Sequence, residues 1–386
     1  MQQIRVCNVI EEGRFGGPER RIVQVAKVLK TRNIETHVFY PKYDSEKFSQ
    51  ELLKAGIPNS ALSINRLTKE KKVLAKYIIF FFIEIFRLRR LFRRYKFDLI
   101  HGNGSYQFKA ALAARLAGVP AVWHFNDTQM DAVIKKICLV IAKYCSSGFI
   151  VAGDRVRNYY IRGNSLEKKP CIEVHAPVDT NLFDPNHVIP DKRVSKMQGR
   201  KIVSVSGINP TKGLEYFIDM ASCLLPRYND LGFFVAGAEF SSQKKYYQYL
   251  KDLIVSSKLT NNHFKFVGMI DNVASFLKSA DICVFTSIAE ASPTAVWEAM
   301  SMGKAIVTTD VGSVSQYIEN GKSGFIVPIK DVKALREKVE ILLENSTLRQ
   351  KMGADARIVA QKYLDISVAA EKHALFYRRI LSLQSQ

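Results

Sequence analysis

Cysteine is scarce and scattered in this chain. Its six residues, at positions 7, 138, 145, 171, 223 and 283, form no C-x-x-C pair and no Cys/His group at zinc spacing. That excludes a zinc finger or ribbon, and over 386 residues it argues for reduced thiols in a cytosolic setting rather than a disulfide framework. Long apolar runs are missing too. The candidate IIFFFIEIF (78–86) falls far short of the roughly 20 residues that span a bilayer. The N-terminus, MQQIRVCNVI, has no apolar run with a small-residue cleavage site and reads as a first strand rather than a signal peptide. No G-x-G-x-x-G occurs in EEGRFGGPE, and no acidic residue clearly closes the next strand, which disfavours a dinucleotide oxidoreductase. NGKSG (320–324) is no P-loop, because Gln316 stands where its first glycine should be. No D-x-D is present. Acidic residues are in short supply, 36 against 57 Lys and Arg, for a formal net charge of +21. Such a surface attracts nucleic acid, anionic lipid or phosphorylated small molecules. Without a base-reading motif or aromatic stacking platform, nucleic acid is the weakest of the three.

What is present is a soluble-protein composition, 47% hydrophobic and 24% charged, arranged as an alternation. IRVCNVI (4–10) reads as a strand, EEGRFGG (11–17) as a Gly-rich loop, and PERRIVQVAKVLK (18–30) as an amphipathic helix led by proline. Further strands are expected at 36–40, 97–101, 120–125 and 148–153. The alternation restarts with KIVSVSG (201–207), a helix at 213–228, and strands at 232–238, 263–268, 281–287 and 304–310. Apolar strands alternating with amphipathic helices predict α/β architecture with parallel sheets covered on both faces. Two sets predict two doubly wound domains, 1–178 and 179–365, with the Pro-rich polar stretch at about 176–200 as linker. A C-terminal helix within 366–386 either completes the second domain or crosses back to the first. Ligands of open α/β sheets bind beyond the carboxyl ends of the strands, so the segments just after strands carry the interest.

Residues 69–96, KEKKVLAKYIIFFFIEIFRLRRLFRRYK, hold ten Lys/Arg and two Glu. A basic helix with an aromatic and aliphatic face suits contact with an anionic membrane surface. The plain alternative is a domain helix with one core face and one solvated basic face.

The segment EASPTAVWE (290–298) places two carboxylates around a helix start. Ser292 suits an N-cap and Pro293 the first helical position, so Glu290 is expected in a loop and Glu298 inside the helix. Pro293, Thr294 and Ala295 open this helix, and its free N–H groups, which proline itself lacks, form the positive end of the helix dipole, a suitable place for a phosphate. Carboxylates on either side could accept hydrogen bonds from sugar hydroxyls.

This E-x7-E, followed by EAMSMGKAIVTTDVGSVSQYIENGKSGFIV, resembles the retaining GT-B glycosyltransferases of family 4 (group 1). FGGPER (15–20), FDLIHGNG (97–104), VWHFND (122–127), VSGINPTKG (205–213) and FVAGAE (234–239) are similar to other segments of that family, in the same order along nearly the whole chain. The resemblance implies two facing Rossmann-like domains with the ligand in an interdomain cleft. It also implies that Glu298 binds the donor ribose, Glu290 contacts the transferred sugar, Lys212 neutralises the donor diphosphate, and His124 stands beside the reacting sugar. Gly16 and Gly17 would let backbone approach the donor phosphates or the acceptor, and Gly207 falls at a donor-binding position. His101 is a weaker candidate. The sequence departs from the family in four places: Gly207 replaces an arginine, Ala176-Pro177 an Asn-Gly, Ala291 a frequent glycine, and Gly153 a serine.

The expected activity is therefore transfer of a sugar from a nucleotide-sugar, UDP before GDP, to a lipid-linked or glycan acceptor, in surface polysaccharide, lipopolysaccharide or glycoconjugate synthesis. No cofactor or metal is expected, since the chain lacks D-x-D and Lys212 can meet the leaving charge. The expected location is the cytoplasmic face of the membrane, held peripherally through 69–96. Two alternatives stay open: a nucleotide-sugar epimerase or hydrolase on the same fold, and a non-catalytic membrane-surface binding protein.

Overall fold

Strands that run parallel cannot be joined by tight hairpins, so each pair needs a crossover, and helices come to cover both faces of the sheet. Two such sheets form here. The computed structural model describes residues 3–68, 70–239, 243–260 and 262–384. The chain divides into two compact units: Met1–Ala176 with Ile366–Gln386, and Pro177–Asp365.

The first unit carries a seven-stranded parallel sheet: β1 (Ile4–Val9), β2 (Ile34–Pro41), β3 (Asn59–Leu62), β4 (Leu99–Asn103), β5 (Ala121–Phe125), β6 (Gly148–Val151) and β7 (Cys171–Glu173). Its spatial order is β3-β2-β1-β4-β5-β6-β7. The helices are α1 (Gly17–Lys30), α2 (Glu46–Lys54), α3 (Lys71–Tyr95), α4 (Phe108–Ala117), α5 (Ala132–Cys145) and α6 (Asp154–Tyr160). Strand order reverses direction between β1 and β4. Right-handed crossovers therefore put α1 and α2 on one face and α3, α4 and α5 on the other. Within that second layer α4 packs against both neighbours.

The face under α1 is completed by a helix from the far end of the sequence, Ile366–Ser382, which packs along α1. Ala369, Ala370, Ala374, Phe376, Tyr377 and Ile380 are buried with Val6, Leu99, Val122 and Ile150 of the sheet. Gly148 is needed beneath it: a Cβ there would lie 2.6 Å from Ile380 Cδ1 and 2.9 Å from Phe376 Cζ.

The second unit carries β8 (Arg200–Val205), β9 (Leu231–Ala236), β10 (Phe264–Gly268), β11 (Ile282–Phe285), β12 (Ala305–Thr309) and β13 (Phe325–Val327) in the order β10-β9-β8-β11-β12-β13. Its helices are α7 (Lys192–Ser195), α8 (Leu214–Leu224), α9 (Lys244–Ser256), α10 (Val273–Lys278), α11 (Thr294–Ser301), α12 (Val314–Tyr317), α13 (Val332–Glu344) and α14 (Ser346–Val359). One core lies on each face of this sheet.

Two expectations need correction. The stretch 176–200 is not a free linker. Val178, Phe183 and Val194 are buried in the core of the second unit, and the Val178 amide donates to Leu364 O at 2.9 Å beside Asp365. The helix beginnings also differ by one residue each way. Helix α1 starts at Gly17, so Pro18 is its second residue. Helix α11 starts at Thr294, with Pro293 itself as N-cap at φ −77° and ψ 91°, and Ser292 instead accepts from Trp297 Nε1 at 3.1 Å.

The chain has two tryptophans, one per unit: Trp123 in the first and Trp297 in the second. With Trp297→Phe as background, Trp123 fluorescence follows the first unit alone. Phe376→Ala is expected to destabilise that unit by about 3–5 kcal/mol in chemical unfolding, the cost of emptying a buried phenyl site.

Candidate functional site

In an open α/β sheet, ligands lie beyond the carboxyl ends of the strands where strand order reverses. In the second unit that point falls between β8 and β11, and Lys212 and Glu290 follow these two strands. After β8 the chain keeps pairing with the extension of β9. Ser206 N donates to Ala236 O at 2.8 Å and Ile208 N to Ala238 O at 3.0 Å. Gly237 allows this approach, since a Cβ on it would meet Ser206 O at 1.9 Å and the amide of Gly207 at 2.9 Å.

A short 3₁₀ turn, Pro210–Lys212, follows, capped by Asn209, whose carboxamide oxygen accepts from the Thr211 amide. Gly213 closes it at φ +58°, and a Cβ there would lie 2.4 Å from Thr286 O. The turn is stitched to the end of β11. Thr286 Oγ1 donates to Lys212 O at 3.1 Å, and Ile288 N donates to Thr211 O at 2.8 Å. These bonds deliver the Lys212 ammonium to the Glu290 carboxylate, with which it forms a half-buried ion pair. Ser287 Oγ donates to the same carboxylate oxygen at 3.1 Å. Gly312, in the loop after β12, presses on this segment from behind, its Cβ direction ending 2.5 Å from Ala291 O.

Lys212 and Glu290, expected on diphosphate and sugar respectively, are thus partners of each other. Glu290 lies in the loop and Glu298 one turn and more into α11, where it is buried. Thr294 and Ala295 form the first turn of α11, at the end that carries free amides. Gly207 lies at the close approach to Gly237.

In the first unit, order reverses between β1 and β4. The Gly-rich loop follows β1. Gly16 is the N-cap of α1, and its amide donates to Glu19 Oε2 at 2.8 Å. A Cβ on Gly17 would meet nothing within 4 Å. Burial pushes the Glu19 carboxyl up from 4.5 to about 7, against the lowering effect of its backbone amide donors.

His124, on β5, is fully buried inside this unit. Arg21 Nη1 reaches its Nε2 at 3.0 Å, and its Nδ1 lies 3.3 Å from His101 Nε2. His101 Nδ1 in turn lies 2.6 Å from the Tyr377 hydroxyl. Arginine has no acceptor, so His124 Nε2 must accept. That assigns N–H to its Nδ1, makes His101 Nε2 an acceptor and assigns N–H to His101 Nδ1. Arg21 Nη2 also donates to Asn103 Oδ1 at the end of β4. Burial holds His101 and His124 well below the usual imidazole range, and His373 near 4.

His101, His124 and His373 bring ring nitrogens within 4.8 Å of one another, a spacing that could hold a metal ion. The Arg21 guanidinium on His124 and the Ala369 carbonyl on His373 Nδ1 at 2.7 Å oppose that use. Both ring nitrogens of His124 have protein partners, so it braces Arg21 and the ends of β4 and β5. A contact between His124 and a sugar, the expectation from sequence, would require one of those bonds to be exchanged.

Sequence reasoning missed Arg21, Asn103, His373 and Tyr377. It also missed a buried ionic group after β1. Lys109 Nζ lies 2.6 Å from Glu84 Oε2 and 3.4 Å from Glu11 Oε2, and all three side chains are buried. Burial, opposed by Lys109, raises the Glu11 carboxyl to about 7. The one signal was Glu84 itself, a lone acid in an apolar run.

Comparison with known proteins gives a consistent pattern. Residues 15–182 match the model described as Glycosyltransferase Family 4, and residues 187–359 that of Glycosyl transferases group 1. The chain is 23% identical over 377 residues to a Campylobacter jejuni N,N'-diacetylbacillosaminyl-diphospho-undecaprenol alpha-1,3-N-acetylgalactosaminyltransferase, covering 92% of this chain and 94% of the relative. It is 24% identical to an Escherichia coli UDP-Gal:alpha-D-GlcNAc-diphosphoundecaprenol alpha-1,3-galactosyltransferase, covering 72% of this chain and 79% of the relative. Among solved structures, Anabaena HepE in complex with UDP superposes with a TM-score of 0.82 at 18% identity, over 97% of this chain and 100% of the other.

Two measurements probe the local geometry. Gly213→Ala forces a left-handed backbone on an L side chain and pushes a methyl at Thr286 O, so the second unit should lose at least about 1 kcal/mol. Trp297 fluorescence in a Trp123→Phe background reads this. For Glu19, a pKa raised from 4.5 to about 7 means the folded state binds more protons between those values. Its contribution is therefore most favourable below pH 4.5 and is lost as pH rises through about 7. The stability difference between wild type and Glu19→Gln should change across that window and level off above it.

Proposed function

The chain belongs to the group 1, family 4 glycosyltransferases, and we propose that it moves a sugar from a UDP-sugar to a lipid-linked acceptor with retention of anomeric configuration. The observation that carries this reading is the placement of Lys212 and Glu290 at the reversal point of the second sheet, with the N-terminus of α11 and Glu298 directly following.

The chemistry follows from these groups. The bond from the sugar C1 to the diphosphate oxygen breaks, and the acceptor hydroxyl oxygen bonds to C1 from the same face. Its proton passes to the departing phosphate oxygen. Lys212 supplies a compact positive charge to the leaving diphosphate, with the first-turn amides of Thr294 and Ala295 as further donors. Its pairing with Glu290 holds that charge in place beforehand. Glu290, an acceptor of hydroxyl hydrogen bonds, orients the transferred sugar, and buried Glu298 takes the ribose hydroxyls. We assign His124 and Arg21 to positioning the acceptor-side loop ends rather than to bond making. Gly16 and Gly17 leave that loop's backbone open to approach.

The proposal needs no metal, because lysine and helix dipole meet the leaving charge and the sequence lacks D-x-D. The UDP preference is supported by the fold shared with the UDP-bound Anabaena protein, and the lipid-linked acceptor by the undecaprenol-linked substrates named for the two relatives. The protein would work at the cytoplasmic membrane surface, held by the basic helix. Lys69, the first residue of the expected basic segment, lies outside the described residues.

The test is nucleotide release from a panel of UDP- and GDP-sugars, with and without a membrane lipid extract. We expect release from a UDP-sugar that requires the extract. Glu298→Ala should lower kcat/KM about 10- to 100-fold, the loss of one or two hydrogen bonds to a charged group. Equal release without extract would favour an epimerase or hydrolase. No turnover and no nucleotide binding by folded protein would favour a non-catalytic role.

A further inference from the structure

We propose that the first unit meets an anionic bilayer on two helices, α5 as well as α3, which form one insertion platform on the same side of its sheet. The proposal rests on the lipid-directed reading above and extends its surface. Both helices pack in one layer, separated by α4. On α3, Tyr77, Glu84, Ile85, Leu88 and Phe92 point inward and are buried. The opposite stripe, Ile79, Phe82, Ile83 and Phe86, is more than half exposed. On α5, Cys138 and Ala142 are buried, and diametrically opposite them Val133, Ile137, Val140 and Tyr144 are likewise more than half exposed. Two apolar stripes on surface helices of one layer exceed the scattered exposure of an ordinary soluble face.

The charges choose the occupant. On α3 the apolar stripe is bounded by Lys71, Lys72 and Lys76 at one end and by Arg87, Arg90, Arg93 and Arg94 at the other. Lys136 and Lys143 flank the stripe on α5. The sole carboxylate on α3, α4 and α5 is Glu84, which is buried against Lys109. Apart from the exposed N-cap acids, Glu70 of α3 and Asp131 of α5, this outer surface is apolar in the middle and cationic around it, the complement of an anionic headgroup layer over acyl chains. A second copy docked by a two-fold axis would set cation against cation. Among the described residues no helix is long and apolar enough to cross a membrane, so contact would be interfacial.

The helices are firmly seated. Lys109 of α4 anchors α3 through Glu84, and Arg89 Nε donates to Leu116 O of α4 at 3.1 Å. The exposed stripes therefore face outward from a fixed frame.

The experiment is vesicle co-sedimentation of the full chain, using phosphatidylcholine vesicles with and without phosphatidylglycerol. The variants are Ile137→Asp/Val140→Asp on α5, Lys136→Glu/Lys143→Glu on α5, and Phe82→Asp/Phe86→Asp on α3. We expect wild type to bind only the anionic vesicles, and each double variant to bind at least about tenfold more weakly. Trp123 fluorescence in a Trp297→Phe background should show the first unit folded in all three, and UDP binding by calorimetry should stay unchanged in the second. The lysine pair keeps the test decisive if the aspartate pair misfolds. If both α5 variants bind as wild type while the α3 variant weakens, the two-helix platform is wrong and the α3 reading stands. If wild type ignores anionic vesicles, both membrane readings fail, while UDP-sugar turnover is judged separately. A self-associated wild type that Ile137→Asp/Val140→Asp renders monomeric would overturn the proposal in favour of a second copy.

Discussion

A parallel sheet has two apolar faces and no way to leave either in water. The architecture of the first unit follows from that constraint. Strand order 3-2-1-4-5-6-7 sends α3, α4 and α5 to one face and only α1 and α2 to the start of the other. The rest of that face, over β4, β5 and β6, would lie bare. The helix Ile366–Ser382 covers it, with alanines close to the strands and Phe376, Tyr377 and Ile380 filling the remainder. Burying three such side chains is worth several kcal/mol, at about 1.5–3 each. The return of the chain end to the first unit is thus a consequence of sheet coverage, and it also imports Tyr377 and His373 beside His101 and His124.

The elements that the sequence made legible are those with a strong period and apolar centre. Strands expected at 4–10, 36–40, 120–125 and 281–287 correspond to β1, β2, β5 and β11 within two residues. Strands β3, β7 and β13 went unread. Each has three or four residues and lies at a sheet edge, too short for any periodicity to register. The stretch 176–200 reads as linker because its prolines and polar residues outnumber the isolated Val178, Phe183 and Val194 that anchor it. The positions of the Glu290 loop and of Glu298 in α11 were legible because proline restricts where a helix can begin. Their ionic and hydrogen-bond partners were not. Lys212 and Glu290 are 78 residues apart in the chain, and only the reversal of strand order brings their loops together.

Buried charge is where sequence patterns mislead most. Arg21 and Lys109 carry charges that ordinarily favour a solvated position, and both are buried. The structure treats them differently. Lys109 sits between Glu84 and Glu11, so its charge is answered twice and one carboxyl is driven toward its neutral form. Arg21 is bonded to His124 and Asn103, both neutral, and burial lowers its pKa only to about 10.

That asymmetry has a consequence for the histidines. A cation that keeps its proton at neutral pH and is not directly paired with an acid opposes a second cation nearby. Burial already disfavours the imidazolium form of His101, His124 and His373, and the Arg21 charge lowers all three further. The imidazoles therefore stay neutral through the range where histidine ordinarily titrates, and the hydrogen-bond direction from Arg21 through His124 and His101 to Tyr377 stays fixed. A chain of neutral rings with one permanent positive end gives the ends of β4 and β5 an orientation that ordinary changes in pH do not reverse. In the second unit the corresponding charge, Lys212, is instead held at a surface loop by a carboxylate it can share. Arg21 is thus a locked cation at one sheet end and Lys212 an exchangeable one at the end of the other sheet, the difference that the proposed roles of positioning and of meeting a leaving anion call for.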